Sequence, residues 1–170
     1  AVGALIAGAA SWALGHILVR LQREELFLAT LALQVGLVSV FTNLETLTGG
    51  ALGMSGVPPF HPNRALGQAL GLLGAGALLG LTCVVTRRVT SSSFGRVLRA
   101  SRDDEVAVAA SGKHVAAARR GALLLGGLIA GACGGLYVHC TSAIDPTAFS
   151  LAESILLIAI VVIGGAESPI

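Results

Sequence analysis

Four stretches of this chain, Ala1 to Val19, Leu26 to Leu44, Ala65 to Thr86 and Gly121 to Thr141, contain no Asp, Glu, Lys or Arg. Coiled as helices at about 1.5 Å per residue, each is long enough to cross the hydrocarbon of a bilayer. Composition agrees with that reading. Of 170 residues 54% are hydrophobic and 12% charged, with a mean hydropathy of +0.83, whereas an ordinary soluble domain carries about a quarter charged residues. An average water-soluble domain and a disordered chain are therefore excluded, and no three-residue glycine period points to a collagen-like fibre. The remaining class is all-α: a polytopic helical membrane protein forming a single transmembrane domain over 1–170. The chain opens on Ala1 and stops at Ser168-Pro169-Ile170, so it reads as a fragment.

Charge placement orients the spans. Eight of the eleven Lys and Arg residues fall between Arg87 and Arg120, against the acidic residues Asp103, Asp104 and Glu105. The positive-inside rule places 87–120 in the cytoplasm. Alternation then puts the Gly/Pro-rich connection 45–64 outside and the start of Leu26 to Leu44 inside, where Arg20 and Arg23 provide an independent check. The run from Leu151 returns inward and brings the count to about five crossings. Its uncharged core, Ile155 to Ala166, is short enough to fit a re-entrant helix as well as a full span. Thr30, Gln34, Ser39, Thr42 and Asn43 make the second span unusually polar, so it is expected to face protein or water. Glycine pairs with GxxxG spacing (67/71, 76/80, 127/131, 131/135) indicate close helix packing.

Two loops carry information. In the cytoplasmic segment Ser101 and Asp104 match an [ST]-x-x-[DE] capping pattern, and Gly112 suits a left-handed C′ position. The pattern predicts a helix over about 102–111, with Val106, Ala109 and Ala110 forming a narrow apolar stripe. Such a helix either docks into a groove on a soluble partner or stays a solvated loop helix. In the external loop, Leu47 to Pro59 holds four glycines, two prolines among its last residues and no charge. That composition is expected to prevent a regular helix and either to form a flexible exposed turn or to offer backbone groups to a small zwitterion or to an entrance, with Thr48, Gly49, Gly50 and Gly53 as candidate path residues.

Other classes find little support. The net charge of +2 and 4% aromatic content argue against a nucleic-acid partner. Cys83, Cys133 and Cys140 lack CxxC spacing and are expected to be buried, inert thiols. His16, His61, His114 and His139 lack metal-ligand spacing, so no metal, cofactor or catalytic residue is assigned. Glu45, Asp145 and Glu153 all fall near the outer boundary, which disfavours an ion-driven carrier.

The loops also carry a family likeness. Thr48-Gly49-Gly50 with Gly53 and Pro58 resembles the external T-G-G-x-x-G loop of branched-chain amino acid ABC importer permeases. Gly95-Arg96, Arg99-Ala100 and Arg102-Asp103-Asp104-Glu105 with Ala107 resemble that family's G-R-x-x-x-A-x-R-D-x-E-x-A loop, with Gly112 at its later glycine. Gly134-Gly135-Leu136-Tyr137, Pro146 with Phe149-Ser150 and Ser154, and Val162-Ile163-Gly164-Gly165 continue the likeness in order. Glu25 and Glu167 depart from the family pattern. The resemblance implies the ABC importer permease fold in the bacterial cytoplasmic (inner) membrane. It implies cytoplasmic ATP-binding subunits, a second permease subunit and an external substrate-binding protein as partners. It further implies a coupling helix around Arg102 to Gly112, with Arg99, Arg102, Asp103, Asp104, Glu105, Ala109 and Gly112 contacting the ATPase. Alternating access would be driven by the partners' ATP hydrolysis, with no covalent chemistry on this chain. The neighbouring possibilities are a urea or short-amide importer permease and, from another class, a passive channel or structural membrane subunit.

Overall fold

The computed structural model describes residues 2–19, 21, 23–56, 58 and 63–164. Arg20, Val57, Pro59, His61 and the stretch 165–170, including Glu167, lie outside the described residues. Five long apolar helices dominate: α1 (Val2–Leu18), α2 (Arg23–Asn43), α4 (Arg64–Ser91), α7 (Val115–Thr141) and α8 (Leu151–Gly164). Between them lie α3 (Glu45–Thr48), α5 (Ser93–Asp103), α6 (Glu105–Ala110), two 3-10 turns (Gly50–Leu52 and Pro146–Phe149) and a two-stranded ribbon, β1 (Met54–Ser55) with β2 (Ala143–Ile144). By length and composition Glu25–Asn43, Leu66–Ser91 and Val115–Thr141 are sufficient to cross a membrane, while α1 and α8 are shorter apolar helices.

The helices alternate in direction, as the charge pattern requires. Gly8 of α1 lies against Leu124 and Leu128, and Gly15 against Arg120 and Leu123, so residue numbers rise along α1 as they fall along α7. At the far end of this seam Arg120 donates from Nη1 to His16 Nε2 at 2.8 Å, and His16 Nδ1 lies 3.2 Å from the Trp12 carbonyl. α4 is also antiparallel to α7, with Gly71 against Cys140 and Gly74 against Leu136. Two GxxxG glycines explain the closeness of the α1–α7 pair. A Cβ on Gly127 would collide with Ser11, and one on Gly131 would lie 2.6 Å from the Ala7 Cβ. Gly76, Gly80 and Gly135 have open space instead.

Little else is enclosed. Leu18, Val115 and Ala118 are the buried hydrophobic residues among those described, and most large apolar side chains face outward, as expected where lipid or neighbouring helices supply the apolar surroundings. The three thiols follow the same rule: Cys83, Cys133 and Cys140 are exposed on helix surfaces and unpaired, a correction to the expectation of burial. Glu25 is accommodated within the regular helix α2.

Polar groups in α2 divide into two kinds. Thr30, Thr42 and Asn43 donate to the carbonyls of Phe27, Val38 and Ser39, each at 2.8 Å, so the helix satisfies them itself. Gln34 instead reaches another element, donating to the carbonyls of Phe149 and Ser150 at 3.2 Å and to Ser154 Oγ at 2.6 Å. This links mid-α2 to the start of α8.

Candidate functional site

At one end of the bundle the connections after α2 and after α7 are joined. Met54 pairs with Ile144 and Ser55 with Ala143 in antiparallel register, and the Gly56 N–H donates to the Ser142 carbonyl at 3.2 Å. The stretch expected to hold no regular helix contains the last residues of α3, a 3-10 turn and a two-residue strand. Backbone freedom makes this possible. Gly53 has φ +68°, and a Cβ there would strike the Ile144 carbonyl across the ribbon. Thr48 Oγ1 donates to the carbonyls of Phe41 and Leu44, closing the end of α2 over the turn.

Beneath this joined loop lies a cavity of about 690 Å³, within the range of small-molecule sites. Leu33, Leu37, Val38 and Phe41 of α2 form one wall; Phe149 and Leu157 form the other. Thr48 and Met54 lie at its loop end, and Thr30, Gln34, Glu153 and Ser154 are its remaining polar lining. Of the four candidate path residues Thr48 lines the cavity. Gly49, Gly50 and Gly53 shape the backbone above it without lining it. In the sequence Gln34 is a polar interruption of a span, and no local pattern connects it with Ser154 or the cavity.

The opposite end carries the basic segment. Ser92 caps α5, accepting from the Gly95 N–H at 3.3 Å. Phe94 packs against Gly121 of α7, while Gly95 approaches the carbonyls of Val89 and Thr90 so closely that no Cβ fits. The helix expected over 102–111 is interrupted: α5 runs to Asp103, Asp104 is extended at φ −148°, and α6 occupies Glu105–Ala110. Ser101 is not the cap. It is buried within α5 and donates to the Leu98 carbonyl at 2.9 Å. Asp104 takes the capping role, accepting from the Ala107 N–H at 3.0 Å; its short carboxylate bonds the new helix's orphan donor better than it continues the old helix. Gly112 holds the expected left-handed position at φ +78°. The Gly112 N–H donates to Ala109 and the Lys113 N–H to Val108, at 3.0 and 3.4 Å, a Schellman closure.

Arg99, Arg102, Asp103, Asp104, Glu105, Ala109 and Gly112 are all exposed at this end. Among them Asp104 is engaged as the cap of α6 and Glu105 in an ion pair with Arg119. The remainder of α6 buries no residue, and Val106 is 78% exposed.

An antiparallel bundle of long apolar helices, with one joined loop end and one basic end bearing a short exposed helix, defines a multi-pass membrane protein. The family model described as branched-chain amino acid transport system / permease component matches residues 1–170, and the chain belongs to that family. It is similar to the high-affinity branched-chain amino acid transport system permease protein LivM of Escherichia coli, at 28% identity over 98% of this chain and 45% of the relative. The LivM protein of Salmonella typhimurium is similar at 27% identity, over 96% of this chain and 44% of the relative. The chain thus spans less than half the length of these curated relatives. No solved structure matches it. Its place is the cytoplasmic membrane, crossed several times.

Proposed function

We propose that this chain is the permease subunit of an ATP-binding-cassette importer that carries branched-chain amino acids inward by alternating access. Two permease subunits form the path, cytoplasmic ATPases drive it, and a substrate-binding protein outside the membrane delivers the cargo. The basic end, 87–120, faces the cytoplasm, where α6 and its flanks dock on the ATPase; the ribbon end faces outward, and Thr48 stands near the mouth of the path with Gly49, Gly50 and Gly53 shaping it. ATP-driven closure of the motor subunits would move α6, and α5 and α7 on either side would tilt with it. This subunit performs transport and no catalysis.

The observation that carries the choice of cargo is the wall of the cavity. Its leucine, valine and phenylalanine side chains offer an aliphatic solute the apolar surface that urea and short amides cannot use. The test is uptake by the complete transporter, with its ATPases and binding protein, in sealed liposomes. ATP-dependent accumulation of leucine, unmatched by urea, supports the reading; absence of leucine uptake in a transporter that hydrolyses ATP overturns it.

A further inference from the structure

We propose that the cavity between α2 and α8 is a solute-binding site in which the Glu153 carboxylate holds the ammonium group of an aliphatic amino acid, so that this chain itself selects cargo. The proposal rests on the importer reading above and adds the chemistry of its path.

Among the described residues Glu153 is the single charged one lining the cavity, and no Lys, Arg or His lines it. Its backbone N–H lies 3.5 Å from Ser150 Oγ, while its carboxylate has no hydrogen bond or ion pair among the described residues. Glu153 is exposed in the first turn of α8, so its carboxylate is open to a counter-charge, and ionisable residues among membrane helices mark solute and ion paths. The neighbouring polar groups do not fill that role. The Gln34 amide N–H groups are committed to Phe149, Ser150 and Ser154, and they fix the first turn of α8, and Glu153 with it, relative to α2. The opposite wall, Leu33, Leu37, Val38 and Phe41 with Leu157 beyond, is aliphatic and aromatic. One anionic anchor facing an apolar wall complements a solute with a positive head and a branched hydrocarbon body.

The test measures binding of radiolabelled L-leucine to the complete transporter in nanodiscs without its binding protein, beside uptake with the binding protein present. Glu153→Gln is expected to weaken leucine binding about tenfold or more, with Glu153→Asp retaining most of it. On the unmodified protein 3-methylbutylamine, which keeps the ammonium, should compete with leucine, and 4-methylpentanoate, which lacks it, should not. Unchanged binding by Glu153→Gln, equal competition by 4-methylpentanoate, or no saturable leucine binding in a transporter that still imports leucine overturns this site and leaves the importer reading standing. A transporter that imports no leucine overturns both.

Discussion

Arg119 of α7 donates from Nη2 to Glu105 Oε2 of α6 at 2.7 Å, with the two side chains 26% and 51% exposed. The pair joins a six-residue helix that buries nothing to a 27-residue membrane helix. An ion pair this wet contributes at most about 1 kcal/mol to stability, so its consequence is geometric: it holds the start of α6 beside α7. Arg119→Glu or Glu105→Arg is expected to shift the melting temperature by no more than about 4 °C while lowering leucine uptake per ATP hydrolysed in proteoliposomes severalfold. The double exchange should restore most of the ratio. A double variant no better than the worse single one would show that the pair transmits nothing.

Gly112 ends α6 with a backbone that side chains adopt at a cost of about 1–2 kcal/mol. Gly112→Val should therefore unravel the Schellman closure, and Asp104→Ala should remove a cap worth about 1 kcal/mol at the other end. Both variants are expected to remain in the membrane at normal abundance, with ATP hydrolysis no longer stimulated by loaded binding protein. Retained stimulation in both would remove α6 from the coupling role.

The ribbon permits a direct test of the joined loops. Ser55 stands opposite Ala143, and in a background free of the three native cysteines Ser55→Cys with Ala143→Cys should form a disulfide under mild oxidation. Gly53→Ala, whose new methyl meets the Ile144 carbonyl, should abolish that cross-link and reduce uptake at least severalfold. A cross-link that persists at full yield would contradict the close approach of the two loops.

Much of this was legible in the sequence because in lipid the constraints are few and strong. Uncharged runs marked the five long helices, since an unpaired charge or open backbone in hydrocarbon is costly, and alternation followed from the clustering of Arg87 to Arg120. Gly112 was legible because a left-handed turn needs glycine. The break at Asp104 was not: Ser101 and Asp104 both suit a cap, and only the packing that buries Ser101 within α5 decides between them. The ribbon was invisible because two-residue strands have no period to read. The cavity, too, arises from Gln34 meeting residues more than 100 positions away, a pairing that local pattern does not encode.

Sidedness has its own measurement. With the native cysteines replaced, Ser111→Cys, exposed beside α6, should resist a membrane-impermeant thiol reagent in intact cells and react after permeabilisation. Ser55→Cys should react in intact cells. The reverse pattern would invert the bundle.

Docking of α6 on the motor is tested most directly by proximity. Val106→Cys, at the exposed crest of α6, should cross-link through a short bifunctional thiol reagent to a cysteine placed in the surface groove of the ATPase subunit, in the intact transporter, with yield that changes when ATP is bound. A cross-link of nucleotide-dependent yield is the predicted result. Its absence, in a transporter that still imports leucine and co-purifies with its ATPase, would contradict the account.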